Sequence, residues 1–162
     1  IEGKAGFQIM GDWAKGEFTA AGKTPGVDYY CSPTPSNNGY LYNVDSFIFY
    51  KTSDPDKQEG QKLLAKLMMG KNFQKVFNLY KGSIPARLDV SMDEFDKCAK
   101  TSNADIKTAG ASGGLVPSFA HGMAQGNTMK AALQDIITEH FNSNMSSVDA
   151  ANALADSVLA NM

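Results

Sequence analysis

The chain has 162 residues, of which 43% are hydrophobic, so it is long enough for one domain with its own core. Its 15 Lys and Arg and its 17 Asp and Glu are interspersed and give a net charge of −2, which argues against nucleic acid and anionic membranes as partners. No stretch approaches the roughly 20 consecutive apolar residues that cross a bilayer.

The chain starts without Met, and residues 1–4 lack the charged-then-apolar order of a signal peptide. We therefore expect a fragment of a longer protein. Because a leader could have been lost with an upstream segment, secretion stays open.

Three segments in the first third of the chain have the composition of strands. They are residues 6–11, 27–32 and 40–51. The continuous run Phe47, Ile48 and Phe49 in the third segment predicts burial on both faces of a sheet. Between the second and third segments, Pro33, Pro35 and the cluster at residues 37–39 predict a hinge or linker.

The remaining patterns predict helices. The predicted helices are residues 12–21, ended by Gly22; 55–69, capped by Asp54; 72–80, stopped by Gly82; two pieces, 92–101 and 103–109; one capped by Asn127; and one capped by Ser146. Ser146 and Asp149 resemble a capping box. The predicted buried stripe of the last helix is Val148, Leu154, Val158 and Met162.

Two cysteines, Cys31 and Cys98, leave two interpretations open. A disulfide is favoured; it would close a loop of about 67 residues, contribute roughly 4 kcal/mol in the chain-entropy model and indicate an oxidising compartment. Two buried thiols are the alternative. The two cysteines and two histidines are scattered, so the sequence predicts no metal site and no cofactor.

Five short motifs follow one another along the chain. They are Gly11-Asp12-Trp13, Pro33-Thr34-Pro35, Asn43-Val44-Asp45-Ser46-Phe47, Lys81-Gly82-Ser83-Ile84-Pro85-Ala86-Arg87 and Ala120-His121-Gly122-Met123-Ala124. In this order they resemble the glucose/mannose-type solute-binding proteins of bacterial ABC importers. The resemblance covers essentially the whole chain, and it is to the carboxyl-terminal part of a protein normally more than twice this length.

The resemblance implies an α/β fold. The chain would be the carboxyl-terminal portion of a two-lobed periplasmic binding protein fold (type II), with a chain path like that of maltose-binding protein, and would contribute to both lobes. Residues 1–33 would belong to the second lobe, 34–82 to the first and 83–162 to a helical part of the second. We expect the chain to need the missing amino-terminal segment, or oligomerisation, to be stable.

The resemblance also implies four sugar-binding residues and no catalytic ones. Trp13 would stack on the apolar face of the sugar ring, Asp45 would accept hydrogen bonds from hydroxyls, and Lys81 and His121 would donate them. Each residue has a structural alternative: core packing for Trp13, a structural hydrogen bond for Asp45, a charge at a helix C-terminus for Lys81 and a loop position for His121. Arg87 is a weaker candidate and is expected to tie its loop to a carboxylate.

The implied function is the substrate-binding component of an ABC sugar transporter. It would bind a monosaccharide such as glucose reversibly, without enzymatic activity, and deliver it to the membrane permease from the periplasm or the outer cell surface. The alternatives are an interaction module of amphipathic helices without a sugar ligand and a glycoside-processing enzyme. The spacing of Asp12, Glu17 and Asp45 does not support the enzyme. Ser118 does not lie in a Gly-x-Ser-x-Gly nucleophile elbow, so a hydrolase is not supported either.

Overall fold

The computed structural model describes residues 1–35 and 39–161, and this part of the chain is mixed α/β with helices predominating. The elements are α1 (Ala14–Ala20), β1 (Tyr40–Tyr42), α2 (Pro55–Met68), α3 (Lys71–Lys81), α4 (Lys97–Ser112), β2 (Leu115–Pro117), α5 (Asn127–Asn142) and α6 (Ser147–Ala160). None of these helices is both long and apolar enough to cross a membrane.

The chain separates into two compact units. The first unit comprises Ile1–Tyr40 and Val44–Gly114, and the second unit comprises Leu41–Asn43 and Leu115–Met162. The assignment of residues 1–33, 34–82 and 83–162 to alternating lobes stays a prediction. Asn37 and Asn38 of the predicted hinge lie outside the described residues.

Helices α1 and α3 of the first unit approach each other closely. A Cβ atom on Gly16 would lie 2.7 Å from the carbonyl oxygen of Lys81, and one on Gly82 would lie 2.5 Å from the backbone nitrogen of Gly16. Gly82 also ends α3 with a φ of +88°, in the left-handed region that favours glycine. The two glycines therefore bring the end of α3 next to the first turns of α1.

A buried ion pair and a disulfide fix the start of α4. Lys15 is 6% exposed, and its Nζ lies 2.9 and 3.1 Å from the two carboxylate oxygens of Asp96. Asp96 also caps α4 by accepting the N–H of Ala99 at 2.8 Å. Cys31 and Cys98 form a disulfide with their Cα atoms 5.6 Å apart, which confirms the favoured interpretation of the two cysteines.

Most predicted helices are confirmed, because their ends carry strong local signals. Asp54 caps α2 and Pro55 is its first residue, as predicted. Gly82 ends α3. Ser146 caps α6 by accepting the N–H of Asp149 at 3.1 Å.

Two helix predictions need correction. Residues 97–112 form the single helix α4 where two pieces were predicted at 92–101 and 103–109, because Asp96 caps the helix only at this point. Ser102 does not interrupt it, since the Ser102 hydroxyl lies 2.6 Å from the hydroxyl of Tyr40. Asn127 is the first residue of α5 and not its cap, a position that Gly126 takes.

The strand predictions are largely wrong. Residues 6–11 form no strand. In the second segment Tyr29 forms only an isolated bridge with Pro25, and residues 30–32 have no regular structure. In the third segment only Tyr40–Tyr42 pairs, with β2. Phe47, Ile48 and Phe49 are 62%, 76% and 42% exposed, so their predicted burial is also wrong. A strand needs a neighbour to satisfy its backbone, and β1 and β2 are the two strands of the described chain.

The second unit is built on α5 and α6, which pack against each other. Met129 and Ala150 are buried, with 6% and 5% exposure. The predicted buried stripe of α6 is wrong at Val148, which is 69% exposed, and Leu154 and Val158 are only half-buried. Met162, the last residue of that stripe, lies outside the described residues.

Candidate functional site

The turn that begins α1 carries the single tryptophan. Trp13 occupies the cap position of α1 and is half-buried. A Cβ atom on Gly11 would lie 2.1 to 2.5 Å from three carbon atoms of the Trp13 indole. The indole thus packs against the backbone of Gly11, and the absence of a side chain at this position makes room for the ring.

Asp12 joins this turn to the loop after α3. Its Oδ2 accepts the backbone N–H of Ile84 at 2.9 Å. Burial raises the pKa of the Asp12 carboxyl above its usual range. The Ile84 N–H, the hydroxyl of Ser83 and the charges of Lys15 and Lys81 offset only part of that rise.

Lys81 and Asp45, two of the predicted binding residues, are brought together. Lys81 is the last residue of α3, and its ammonium group pairs with Oδ2 of Asp45. The Lys81 Nζ also lies 5.8 Å from the centre of the Phe77 ring. Both charged side chains keep solvent contact, with 31% exposure for Lys81 and 65% for Asp45.

These contacts gather one aromatic and three charged side chains at one end of the first unit, where α1 begins and α3 ends. Trp13 and Asp12 stand on the α1 side, and Lys81 and its partner Asp45 on the α3 side, linked by the Asp12–Ile84 hydrogen bond. An indole, an ammonium and a carboxylate in one region offer apolar contact together with charge-assisted donors and acceptors. That combination suits a polyhydroxylated ring.

His121 belongs to the second unit. Its Nδ1 lies 2.6 Å from the hydroxyl of Ser118, and the residue itself is exposed while Ser118 is 3% exposed. The structure thus brings Trp13, Asp45 and Lys81 into one unit. A shared role for His121 stays a prediction.

Arg87 has the structural role that its motif suggested. Its Nε and Nη2 each lie 2.8 Å from a carboxylate oxygen of Asp89, and its Nη1 donates to the carbonyl of Met69 at 3.1 Å. Arg87 and Lys71 hold the pKa of Asp89 well below its usual range. Arg87 therefore ties its loop to a carboxylate, as expected.

The sequence did not identify Asp12 as part of the site. Its signal was the motif Gly11-Asp12-Trp13, in which the residue before the tryptophan is a carboxylate. Only the structure shows that this carboxylate reaches Ile84, 72 positions away. In the described ranges 1–35 and 39–161, no group of three or more His, Cys, Asp and Glu side chains could hold a metal ion.

No protein-family model matches the chain. A probable sugar-binding periplasmic protein of Brucella suis is 46% identical over 159 residues, which are 98% of this chain and 38% of the relative. An uncharacterised ABC transporter extracellular-binding protein of Pyrococcus horikoshii is 34% identical over 164 residues, 99% of this chain and 36% of the relative. The xylose/arabinose-binding protein of Haloferax volcanii is 30% identical over 126 residues, 76% of this chain and 26% of the relative.

The class to which these relatives belong, by their names, is that of extracytoplasmic binding proteins. More particularly, the chain is homologous over nearly its whole length to a segment of the sugar-binding periplasmic proteins, and it spans 38% of the length of the Brucella suis relative. The predicted resemblance and the predicted periplasmic or extracellular location are confirmed by these relatives. The names of these relatives describe binding proteins.

Proposed function

We propose that the chain is part of the substrate-binding component of an ABC sugar transporter. It binds a monosaccharide such as glucose reversibly and delivers it to the permease. The observation that carries this proposal is the ion pair of Asp45 with Lys81 at the end of α3, in the same unit as Trp13 and next to the first turns of α1 that Trp13 caps. The names of the relatives support sugar as the ligand class and an ABC transporter as the setting.

In this proposal the three side chains contact different groups of the sugar. The indole of Trp13 contacts the C–H face of the ring, the Asp45 carboxylate accepts from hydroxyls, and the Lys81 ammonium donates to hydroxyl oxygens. Because Asp45 and Lys81 already touch, two neighbouring hydroxyls of one sugar can engage both charges. His121 is proposed as a further donor, on the strength of the family resemblance alone.

Sugar binding must loosen the Asp45–Lys81 contact. Both side chains reach solvent, and an exposed ion pair contributes only about 0–1 kcal/mol. The sugar hydroxyls replace that contact with charge-assisted hydrogen bonds, so the exchange costs little. In the absence of sugar, the pair keeps both charges satisfied and close to the positions in which they bind.

The missing amino-terminal segment is proposed as a partner of this chain. An open apolar groove of about 550 Å³ lies between α2 and α3 and is lined by Leu63, Leu67 and Phe73 among others. Leu63 and Leu67 are each 61% exposed, and Phe47 is 62% exposed in the segment before α2. Apolar surface of this extent in a soluble protein is normally covered, which supports a need for the rest of the full-length protein.

The proposal is tested with a chimera that places the unmatched part of the Brucella suis protein before this chain. Glucose is titrated by calorimetry into the chimera and into the chain alone. We expect binding heat from the chimera and affinity at least about 100-fold weaker for the chain alone, because only part of the site is present. Equal affinity of both would contradict the role of the missing segment.

Matched variants test the residues. Lys81→Met should weaken glucose binding about 10- to 100-fold, because a hydrogen bond to a charged group contributes about 1.5–3 kcal/mol. Lys75→Met is the control, since Lys75 also stands on α3, is 30% exposed and pairs with a carboxylate, that of Glu94, at 2.6 Å. Equal losses of glucose affinity in both variants would contradict the assignment of Lys81 as a sugar-binding residue.

One observation favours the second candidate, an interaction module. That interpretation predicts exposed apolar side chains on the last two helices. Ile137 and Phe141 on α5 are 55% and 87% exposed, and Val148 and Leu159 on α6 are 69% and 72% exposed. A folded chimera that gives no heat with glucose, xylose or arabinose would favour this candidate over the binding protein.

A further inference from the structure

Ser118 is held more firmly than a loop serine normally is. It directly follows β2, and its N–H donates to the carbonyl of Tyr42 at 2.9 Å. Its own carbonyl accepts the N–H of Met123 at 3.0 Å, and the residue is 3% exposed. The backbone of Ser118 is therefore held by hydrogen bonds through both its N–H and its carbonyl.

That hydroxyl has one hydrogen-bond partner among the described residues, Nδ1 of His121 at 2.6 Å. A hydroxyl both donates and accepts, so the distance alone does not decide the direction. A buried O–H without an acceptor costs about 1–3 kcal/mol, and Nδ1 is the acceptor on hand. The Ser118 hydroxyl therefore donates to Nδ1, and the neutral imidazole carries its proton on Nε2.

The turn between the two residues fixes the rest of the geometry. The N–H of Gly122 donates to the carbonyl of Phe119 at 3.0 Å, and Gly122 has a φ of +72°. His121 thus sits in a closed turn with one ring nitrogen anchored to a buried group. Its ring keeps this orientation while the residue as a whole is exposed.

We propose that Ser118 is a positioning residue that sets His121 as an Nε2–H donor for a neutral acceptor, a sugar hydroxyl oxygen. The tautomer follows from the hydrogen bond itself, whereas the ligand rests on the proposed function. A neutral donor at this place needs no counter-charge from the sugar.

His140 offers an internal control in the same unit. Its Nδ1 lies 3.0 Å from the carbonyl oxygen of Met145, and a carbonyl only accepts. Nδ1 of His140 must therefore donate, and its neutral ring carries the proton on Nδ1. The two histidines of the chain are expected to be opposite tautomers.

Nitrogen-15 NMR of the imidazole rings tests the tautomers at about pH 8, where an ordinary histidine is neutral. The resonances are assigned with His121→Asn and His140→Asn. We expect Nε2–H for His121 and Nδ1–H for His140, and a shift of His121 alone toward a mixture in Ser118→Ala. An Nδ1–H signature for His121, or an unchanged signature in Ser118→Ala, overturns the proposal. An unchanged His140 resonance shows that the variant is folded.

Glucose titration of the chimera tests the second part of the proposal, the hydrogen bond from His121 to the sugar. Ser118→Ala should weaken binding about 3- to 10-fold, the size of one hydrogen bond, and Ser118→Thr, which keeps the hydroxyl, should restore most of it. Unchanged affinity in Ser118→Ala overturns the sugar role of this pair while the proposed function stands. If the parent chimera binds no glucose, the proposed function and the sugar role fail together, and the NMR result still decides the role of Ser118 toward His121.

Discussion

At the scale of single residues, the fold keeps the carboxyl group of Asp12, beside Trp13, partly away from water. Asp12 accepts the Ile84 N–H, and burial raises its pKa above the usual range. Between the ordinary and the raised pKa, the folded protein binds more protons at Asp12 than the unfolded chain does. The free energy of unfolding contributed by this group therefore falls as pH rises through that window.

Asp12→Asn should remove this pH dependence, because asparagine keeps an acceptor for Ile84 and does not ionise. Urea unfolding at about pH 4 and about pH 7 measures it. We expect the free energy of unfolding to drop between these pH values by more in the parent chain than in the variant. Parallel changes in the two proteins would contradict the raised pKa.

Gly11 is predicted to set the position of the indole. In Gly11→Ala the new methyl group would lie 2.1 to 2.5 Å from the Trp13 ring, so the ring must move at a cost of about 1–3 kcal/mol. Trp13 is the single tryptophan, so its fluorescence reports the move directly. Gly6→Ala is the control, because a Cβ there meets nothing within 4 Å. Identical emission spectra for both variants would refute this packing.

At the scale of secondary structure elements, the crossing of α1 and α3 decides where the site lies. Two features favour glycine at position 82. Its φ is +88°, and a Cβ atom there would lie 2.5 Å from the backbone nitrogen of Gly16. Gly113 ends α4 with a φ of +71°, and a Cβ atom on it would meet nothing within 4 Å. Alanine substitutions at the two glycines therefore distinguish the cost of the left-handed conformation from the cost of crowding.

Gly113→Ala should cost about 1 kcal/mol for the left-handed conformation alone. Gly82→Ala should cost that amount and about 1–3 kcal/mol more, because the methyl group would push α1 away from α3. Thermal unfolding of both variants measures the difference. Equal costs would show that the close crossing does not contribute to stability.

The elements also show what a sequence can reveal. Caps such as Asp54 and Ser146 are local, so the helices they begin were predictable. Strands depend on neighbours that no local pattern encodes, so residues 6–11 and most of 40–51 were wrongly predicted as paired. The ion pair of Lys81 with Asp45 joins two of the predicted site residues, whose shared role stays a prediction. The hydrogen bond from Ile84 to Asp12 depends on the close crossing of α1 and α3, which no local sequence pattern predicts.

At the scale of the whole molecule, the Cys31–Cys98 disulfide is a main constraint on the first unit. It joins residues 67 positions apart, and a loop of that length corresponds to about 4 kcal/mol in the chain-entropy model. An intact disulfide also fits the periplasmic or extracellular setting of the relatives.

Reduction with dithiothreitol should therefore lower the thermal unfolding temperature markedly. The double variant Cys31→Ser with Cys98→Ser should match the reduced parent and show no response to dithiothreitol. An unfolding temperature of the parent chain that complete reduction leaves unchanged would contradict the predicted contribution of this disulfide to stability.

The central claim is that Asp45 and Lys81 bind a monosaccharide together. The most direct measurement is calorimetric titration of glucose into the chimera and into its Asp45→Asn variant, with Glu94→Gln as the matched control because Glu94 pairs with Lys75 on the same helix as Lys81. The account predicts saturable heat in the parent and the control and a loss of affinity of about 10-fold or more in Asp45→Asn. Saturable glucose binding that Asp45→Asn leaves unchanged would contradict it.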